Sequence, residues 1–95
     1  MDVVEKYRRR VAYHAKRHRE SIGLSQSAVA ERMETTNSRV SAIENARVSV
    51  GLDTLAKLAI ALGVDAYELL LPMSEAGLTA DGGQPSEPTR PARQA

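Results

Sequence analysis

The sequence predicts an all-α domain of five short helices, followed by a segment that joins no core. Three observations carry this. Between residues 3 and 71 apolar side chains recur at steps of three and four, and no alternating stretch of any strength interrupts them. Ser25, Thr36 and Asp65 stand where helix N-caps are needed, and Gly23 and Gly63 where helices must stop. After Leu71 the periodicity ends, and Pro72, Pro85, Pro88 and Pro91 are scattered among Gly, Ser, Thr and Ala. The chain is therefore read as a domain over 1–71 and a Pro/Gly-rich tail over 72–95. Such a tail cannot bury enough surface to offset its ordering entropy and is expected to be disordered.

The first helix is expected over 3–22, with Val4, Tyr7, Val11, Ala15, His18 and Ile22 as one apolar stripe and Gly23 as its stop. Ser25 caps the second helix, and Leu24 with Val29 forms a hydrophobic staple across its start. That helix runs to about Met33, with Val29, Ala30 and Met33 inward. Glu34 and Thr35 form a turn. Thr36 caps a third helix, Asn37 to about Asn45, whose Val40 and Ile43 face inward while Asn37, Ser38, Ser41 and Ala42 face out and Arg39 lies to one side. After a loop over 46–51, Leu55, Leu58, Ala59 and Leu62 define a fourth helix from Leu52 to Leu62. Asp65 and Glu68 make a capping box for a fifth helix ending near Leu71, with Val64 and Leu69 as its staple.

Composition excludes several function classes. The 95 residues contain no cysteine, so neither disulfides nor thiolate metal sites are available. His14 and His18 are spaced i,i+4, but no third ligand stands nearby, and no metal or other cofactor is expected. The charged N-terminus and the lack of a membrane-length apolar run argue for a cytoplasmic protein. No nucleophile–base pair, phosphate-cradling glycine loop or carboxylate dyad appears, so the chain is not expected to be an enzyme. Net charge is only +1, but residues 1–19 carry Lys6, Arg8, Arg9, Arg10, Lys16, Arg17 and Arg19 against Asp2 and Glu5. One end is thus basic, which gives it a reason to approach phosphate.

The spacing between the second and third helices is the most telling feature. Gln26, Ala30, Glu34, Val40 and Ile43 fall at offsets of 4, 4, 6 and 3. This puts a polar residue at the start of one helix, a small residue where the two cross, and two β-branched residues on the buried face of the other. A pair joined by so short a turn can offer its second helix to the major groove of DNA.

The runs LSQSAVAERM, ETTNSRVSAIENA and LDTLAKLAIALGVDAYELL resemble the lambda-repressor-like (Xre/Cro) helix-turn-helix family over roughly residues 8–71. Glu34 stands where that family usually has a glycine in the turn, Ala46 replaces the glycine usual after Glu44-Asn45, and Val50 replaces a frequent proline. The resemblance implies a DNA-binding surface made by Gln26, Thr36, Asn37, Ser38, Arg39, Ser41, Ala42, Asn45 and Arg47. Gln26 would meet a phosphate or a base edge near the backbone, and Thr36 a phosphate. Asn37, Ser38 and Ala42 would face base edges, Arg39 a guanine or a phosphate, and Asn45 and Arg47 phosphates. These residue types suit the task, since Asn pairs bidentately with adenine and Ala touches a thymine methyl.

The resemblance also implies a partly buried ion pair between Arg19 and Glu44. His18 stands on the apolar stripe where the family usually has an aliphatic residue, and is expected to be a hydrogen-bonded histidine at the core edge. The expected partners are double-stranded DNA and a second copy of the chain, without a membrane. Dimerisation is expected through Leu69, Leu70 and Leu71, with Val3, Val4 and Tyr7 as a second surface. The function implied is that of a sequence-specific transcriptional regulator, a repressor binding a palindromic operator as a dimer, in the nucleoid of a bacterium or of a phage host. Two alternatives stand beside it: an antitoxin that binds a toxin and autoregulates its operon, and a protein-interaction module without DNA binding.

Overall fold

A computed structural model describes residues 2–73. They form four α-helices, α1 (Val3–Ser21), α2 (Gln26–Met33), α3 (Asn37–Glu44) and α4 (Leu52–Leu62), and a 3₁₀-helix over Ala66–Leu70. No strand occurs among the described residues. None of their helices is long and apolar enough to cross a membrane. The tail expected to be disordered lies outside the described residues except for Pro72 and Met73.

Helix starts follow from the caps. The side chains of Ser25, Thr36 and Asp65 accept from the backbone N–H groups of Ala28, Arg39 and Tyr67 at 3.0, 3.1 and 3.0 Å. Helix ends follow from left-handed residues. Glu34 at φ 59° and Gly63 at φ 75° let the next residue's N–H reach back five positions, as Thr35 N to Ala30 O at 2.9 Å and Val64 N to Ala59 O at 3.0 Å. Ala46, also left-handed at φ 58°, does the same after α3, with Arg47 N on Ala42 O at 2.9 Å. Glu34 and Ala46 each carry a Cβ in this conformation, at a cost on the order of 1 kcal/mol apiece.

The fifth expected helix is not α-helical. Its capping box forms, with both Asp65 and Glu68 engaged. However, Pro72 pushes Leu71 into an extended conformation (φ −66°, ψ 152°), which leaves too few residues for a run of i→i+4 bonds. The segment tightens to 3₁₀ instead, and its terminal carbonyls are satisfied from α1. Arg10 Nη1 donates to Leu70 O at 3.1 Å, and His14 Nε2 donates to Leu71 O at 2.9 Å.

The core gathers Val29, Val40, Ile43, Leu58 and Leu69, with Val11 and Ala15 from α1. The buried face of α1 differs from the expected stripe. Val11, Ala12, His14 and Ala15 are buried, whereas Val4, Tyr7 and Ile22 are exposed and His18 is half-buried. The other elements cover only the middle of α1, so its ends project beyond them. His14, rather than His18, is the histidine of the core, because a backbone carbonyl waits for it there.

Candidate nucleic-acid interface

Val29, Ala30 and Met33 of α2 share one buried cluster with Val40 and Ile43 of α3, and this contact sets the angle between the two helices. The opposite side of α3 is left open by the other described residues. Asn37, Ser38 and Arg39 are exposed, and Ser41 and Ala42 are half-buried. Gln26, Asn37, Ser38, Ser41, Ala42 and Arg47 line one shallow cleft of roughly 360 Å³. Thr36, Arg39 and Asn45 are not part of that lining. Thr36 Oγ1 accepts from the backbone of Arg39, which leaves the hydroxyl hydrogen free to donate. Asn45 turns its amide back onto its own helix, with Nδ2 donating to Ser41 O at 2.8 Å, and it borders a different depression beside Arg9 and Tyr13.

A family model described as helix-turn-helix matches residues 16–69, which takes in α2, the turn and α3. The chain belongs to the lambda-repressor-like helix-turn-helix family. It is 40% identical over 65 residues to a protein called a hypothetical transcription factor from Neisseria meningitidis. That match takes in 68% of this chain and 61% of the relative, so the chain spans about three-fifths of the relative's length. The crystal structure of a hypothetical transcription factor from Neisseria superposes with a TM-score of 0.69 at 38% identity, covering 75% of this chain and 82% of that one. The restriction-modification controller protein C.AhdI from Aeromonas hydrophila gives a TM-score of 0.67 at 26% identity, over 72% and 99% of the two chains.

Behind the open face of the helix-turn-helix lies a charged network. Arg19 donates to Glu44 through Nε (2.6 Å to Oε2) and Nη2 (3.0 Å to Oε1), and through Nη1 to Leu24 O at 2.9 Å. The two side chains are 12% and 4% exposed, so this pair is withdrawn from water. The contact with Glu44 raises the pKa of Arg19 still further. Glu44 Oε1 also accepts from Gln26 Nε2 at 3.0 Å, which links the network to the cleft.

Much of the basic charge on α1 is engaged within the fold. Arg8 Nε donates to Ser49 Oγ at 2.9 Å, Arg9 pairs with Glu5 at 3.0 Å, and Arg10 holds Leu70 O while stacking over Tyr7 at 4.9 Å. Arg32 likewise donates to Ala61 O at 2.9 Å near the end of α4. Arg8 and Arg10 were legible as charge and not as ties, because their partners, a serine hydroxyl and a backbone carbonyl, lie 41 and 60 positions away in sequence.

His14 is fully buried and both ring nitrogens are occupied, Nδ1 by Arg17 at 3.2 Å and Nε2 by Leu71 O. Arg17 can only donate, so Nδ1 is an acceptor and the neutral, Nε2-protonated tautomer fits. Burial lowers the pKa of His14, and the guanidiniums of Arg17 and Arg10 push the same way with His18, against the hydrogen bond to Leu71. His18 is lowered too, first by burial and then by Arg17. Among the described residues, no three His, Asp or Glu side chains gather as a metal site requires.

The three leucines expected at a dimer interface have different surroundings. Leu69 is wholly buried, so it belongs to the core and not to a contact surface. It is part of the core cluster, against which the partly buried Val64 also packs. Leu71 is 39% exposed. Leu70 is half-buried and lines an apolar groove with Val3, Val4, Tyr7, Val11 and Val50, so it adjoins the second surface considered for association.

Proposed function

We propose that this chain is a sequence-specific DNA-binding transcriptional regulator, a repressor that binds a palindromic operator as a homodimer. The observation that carries the reading is the cleft on the outer side of α3, where Gln26, Asn37, Ser38, Ser41 and Ala42 converge on a helix face that no other element among the described residues covers. A helix exposed in this way fits a major groove about 12 Å wide. Asn37 and Ser38 contact base edges, and Ala42 contacts a thymine methyl. Thr36 holds a phosphate with its free hydroxyl hydrogen, helped by the N-terminal dipole of α3. Arg39, Arg47 and Asn45 supply further backbone or base contacts, Asn45 after releasing Ser41 O. The names of the relatives, a transcription factor and a controller protein, support the class.

One domain touches too few base pairs to select a site in a genome, so two copies engage half-sites about 34 Å apart. The patch of Val3, Val4, Tyr7, Leu70 and Leu71 is the surface on which they meet. Selection from a random DNA pool, with Asn37→Ala/Ser38→Ala as the control, tests the reading. A palindrome enriched by the wild type and lost in the variant supports it. Salt-sensitive binding without enrichment overturns it in favour of a protein partner, whether a toxin or another protein.

A further inference from the structure

We propose that Glu44 is a positioning residue for base readout: clamped by Arg19, it turns the Gln26 amide so that Gln26 reads an adenine instead of holding a phosphate. The proposal rests on the DNA-binding reading above.

Three contacts fix the geometry. Glu44 Oε1 receives both Arg19 Nη2 and Gln26 Nε2 at 3.0 Å, and Glu44 Oε2 receives Arg19 Nε at 2.6 Å. A carboxylate only accepts, so the nitrogen of the Gln26 amide, and not its oxygen, must face Glu44. One Nε2 hydrogen is thereby used. What remains for the cleft is the carbonyl oxygen beside the second Nε2 hydrogen. A phosphate only accepts, so it could take the second Nε2 hydrogen but would leave the carbonyl oxygen beside it without a donor. The major-groove edge of adenine offers the N6 donor beside the N7 acceptor, which matches the pair that Gln26 has left. Gln26 also shares its cleft with Asn37, Ser38 and Ala42, side chains suited to base edges. Glu44 itself is 4% exposed and cannot reach the DNA, so its effect passes through Gln26.

The test uses the full chain and the site selected by the wild type. Affinities are read by fluorescence anisotropy against a panel of single base-pair changes, for the wild type, Gln26→Ala and Glu44→Gln. Side-chain amide ¹⁵N relaxation of Gln26 is measured on the free protein. The wild type is expected to prefer one A·T pair per half-site roughly 5–150-fold, the discrimination of a bidentate contact. That preference should weaken when the adenine is replaced by 7-deazaadenine, which lacks N7. Gln26→Ala should erase it, and Glu44→Gln should flatten it while leaving discrimination at the other positions and the salt slope unchanged.

The Gln26 amide should be rigid in the wild type and mobile in Glu44→Gln. If Glu44→Gln fails to fold by far-UV circular dichroism, the base panel on the wild type and Gln26→Ala decides, together with wild-type relaxation. A uniform loss of affinity in Gln26→Ala, with a salt slope shallower by about one, identifies a phosphate contact and overturns the proposal. A mobile amide in the wild type, or an unchanged preference in folded Glu44→Gln, also overturns it. A wild type that enriches no site overturns the DNA-binding reading and this assignment together, and is told apart from the other failures by the missing operator.

Discussion

Replacing Arg19 with alanine removes the group that neutralises Glu44 inside the domain. The Glu44 side chain is 4% exposed, and after the change its carboxylate keeps only the Gln26 amide as a side-chain partner. The carbonyl of Leu24 loses its donor at the same time. Breaking a buried pair from one side typically costs about 3–5 kcal/mol, because the remaining charge stays buried without compensation. A domain of this size is stable by only about 5–10 kcal/mol, so Arg19→Ala should lose roughly half of its stability. Urea titration followed by circular dichroism at 222 nm measures this directly. The informative comparison is a cycle with Glu44→Leu and the double variant Arg19→Ala/Glu44→Leu. Removing both charges leaves nothing unmatched, so the double variant should be more stable than Arg19→Ala. A cost below about 1 kcal/mol for Arg19→Ala, or a double variant that shows the full sum of the two single losses, would refute the argument.

Other consequences follow from single residues. His14 has a folded-state pKa below the ordinary value near 6.5, so its contribution is complete above that pH and declines as the pH falls below it, where the unfolded chain takes up a proton that the folded one resists. The melting temperature should therefore drop between pH 7 and pH 5, with a shallower dependence in His14→Gln; equal slopes would exclude His14 as a source. Glu34→Gly and Ala46→Gly relieve left-handed strain at φ 59° and 58° and should each gain up to about 1 kcal/mol in urea, whereas a loss would mean that the side chain contributes more than the strain costs. Leu70→Asp should shift the chain toward monomer in sedimentation while leaving the helix content intact. Leu69→Ala should instead lose about 2–5 kcal/mol as a core truncation, and a specific loss of association in that variant would contradict its burial.

Local chemistry was legible in the sequence where it acts over one turn. Ser25, Thr36 and Asp65 announce helix starts through hydrogen bonds to residues two or three positions on, and each bond is present. The inward residues of α2, α3 and α4 follow from a period of 3.6 because other elements cover those helices along most of their length. Three features were less legible. The apolar repeat of α1 continues past its packing partners, so periodicity could not tell Val4 and Ile22, which are exposed, from Val11 and Ala15, which are not. The apolar stripe took in His18 and left out His14, since nothing local reveals the Leu71 carbonyl 57 residues away. The three leucines in a row looked alike, yet the 3₁₀ winding sends Leu69 into the core and leaves Leu70 and Leu71 at its margin.

For the site, the sequence identified the open face of α3. It did not reveal that Glu44, assigned to the pair with Arg19, also grips Gln26. That contact joins residues 18 positions apart and depends on the angle at which α2 crosses α3.

The most direct test of the central claim is the ratio of affinities for the selected operator and a scrambled duplex of equal length, measured at physiological salt for the wild type and for Asn37→Ala/Ser38→Ala. The account predicts a wild-type ratio of roughly 10³ or more, collapsing toward the non-specific value in the variant while the affinity for scrambled DNA is preserved. A ratio near one for the wild type, or a ratio untouched by the double substitution, would contradict the assignment of α3 as the element that reads DNA.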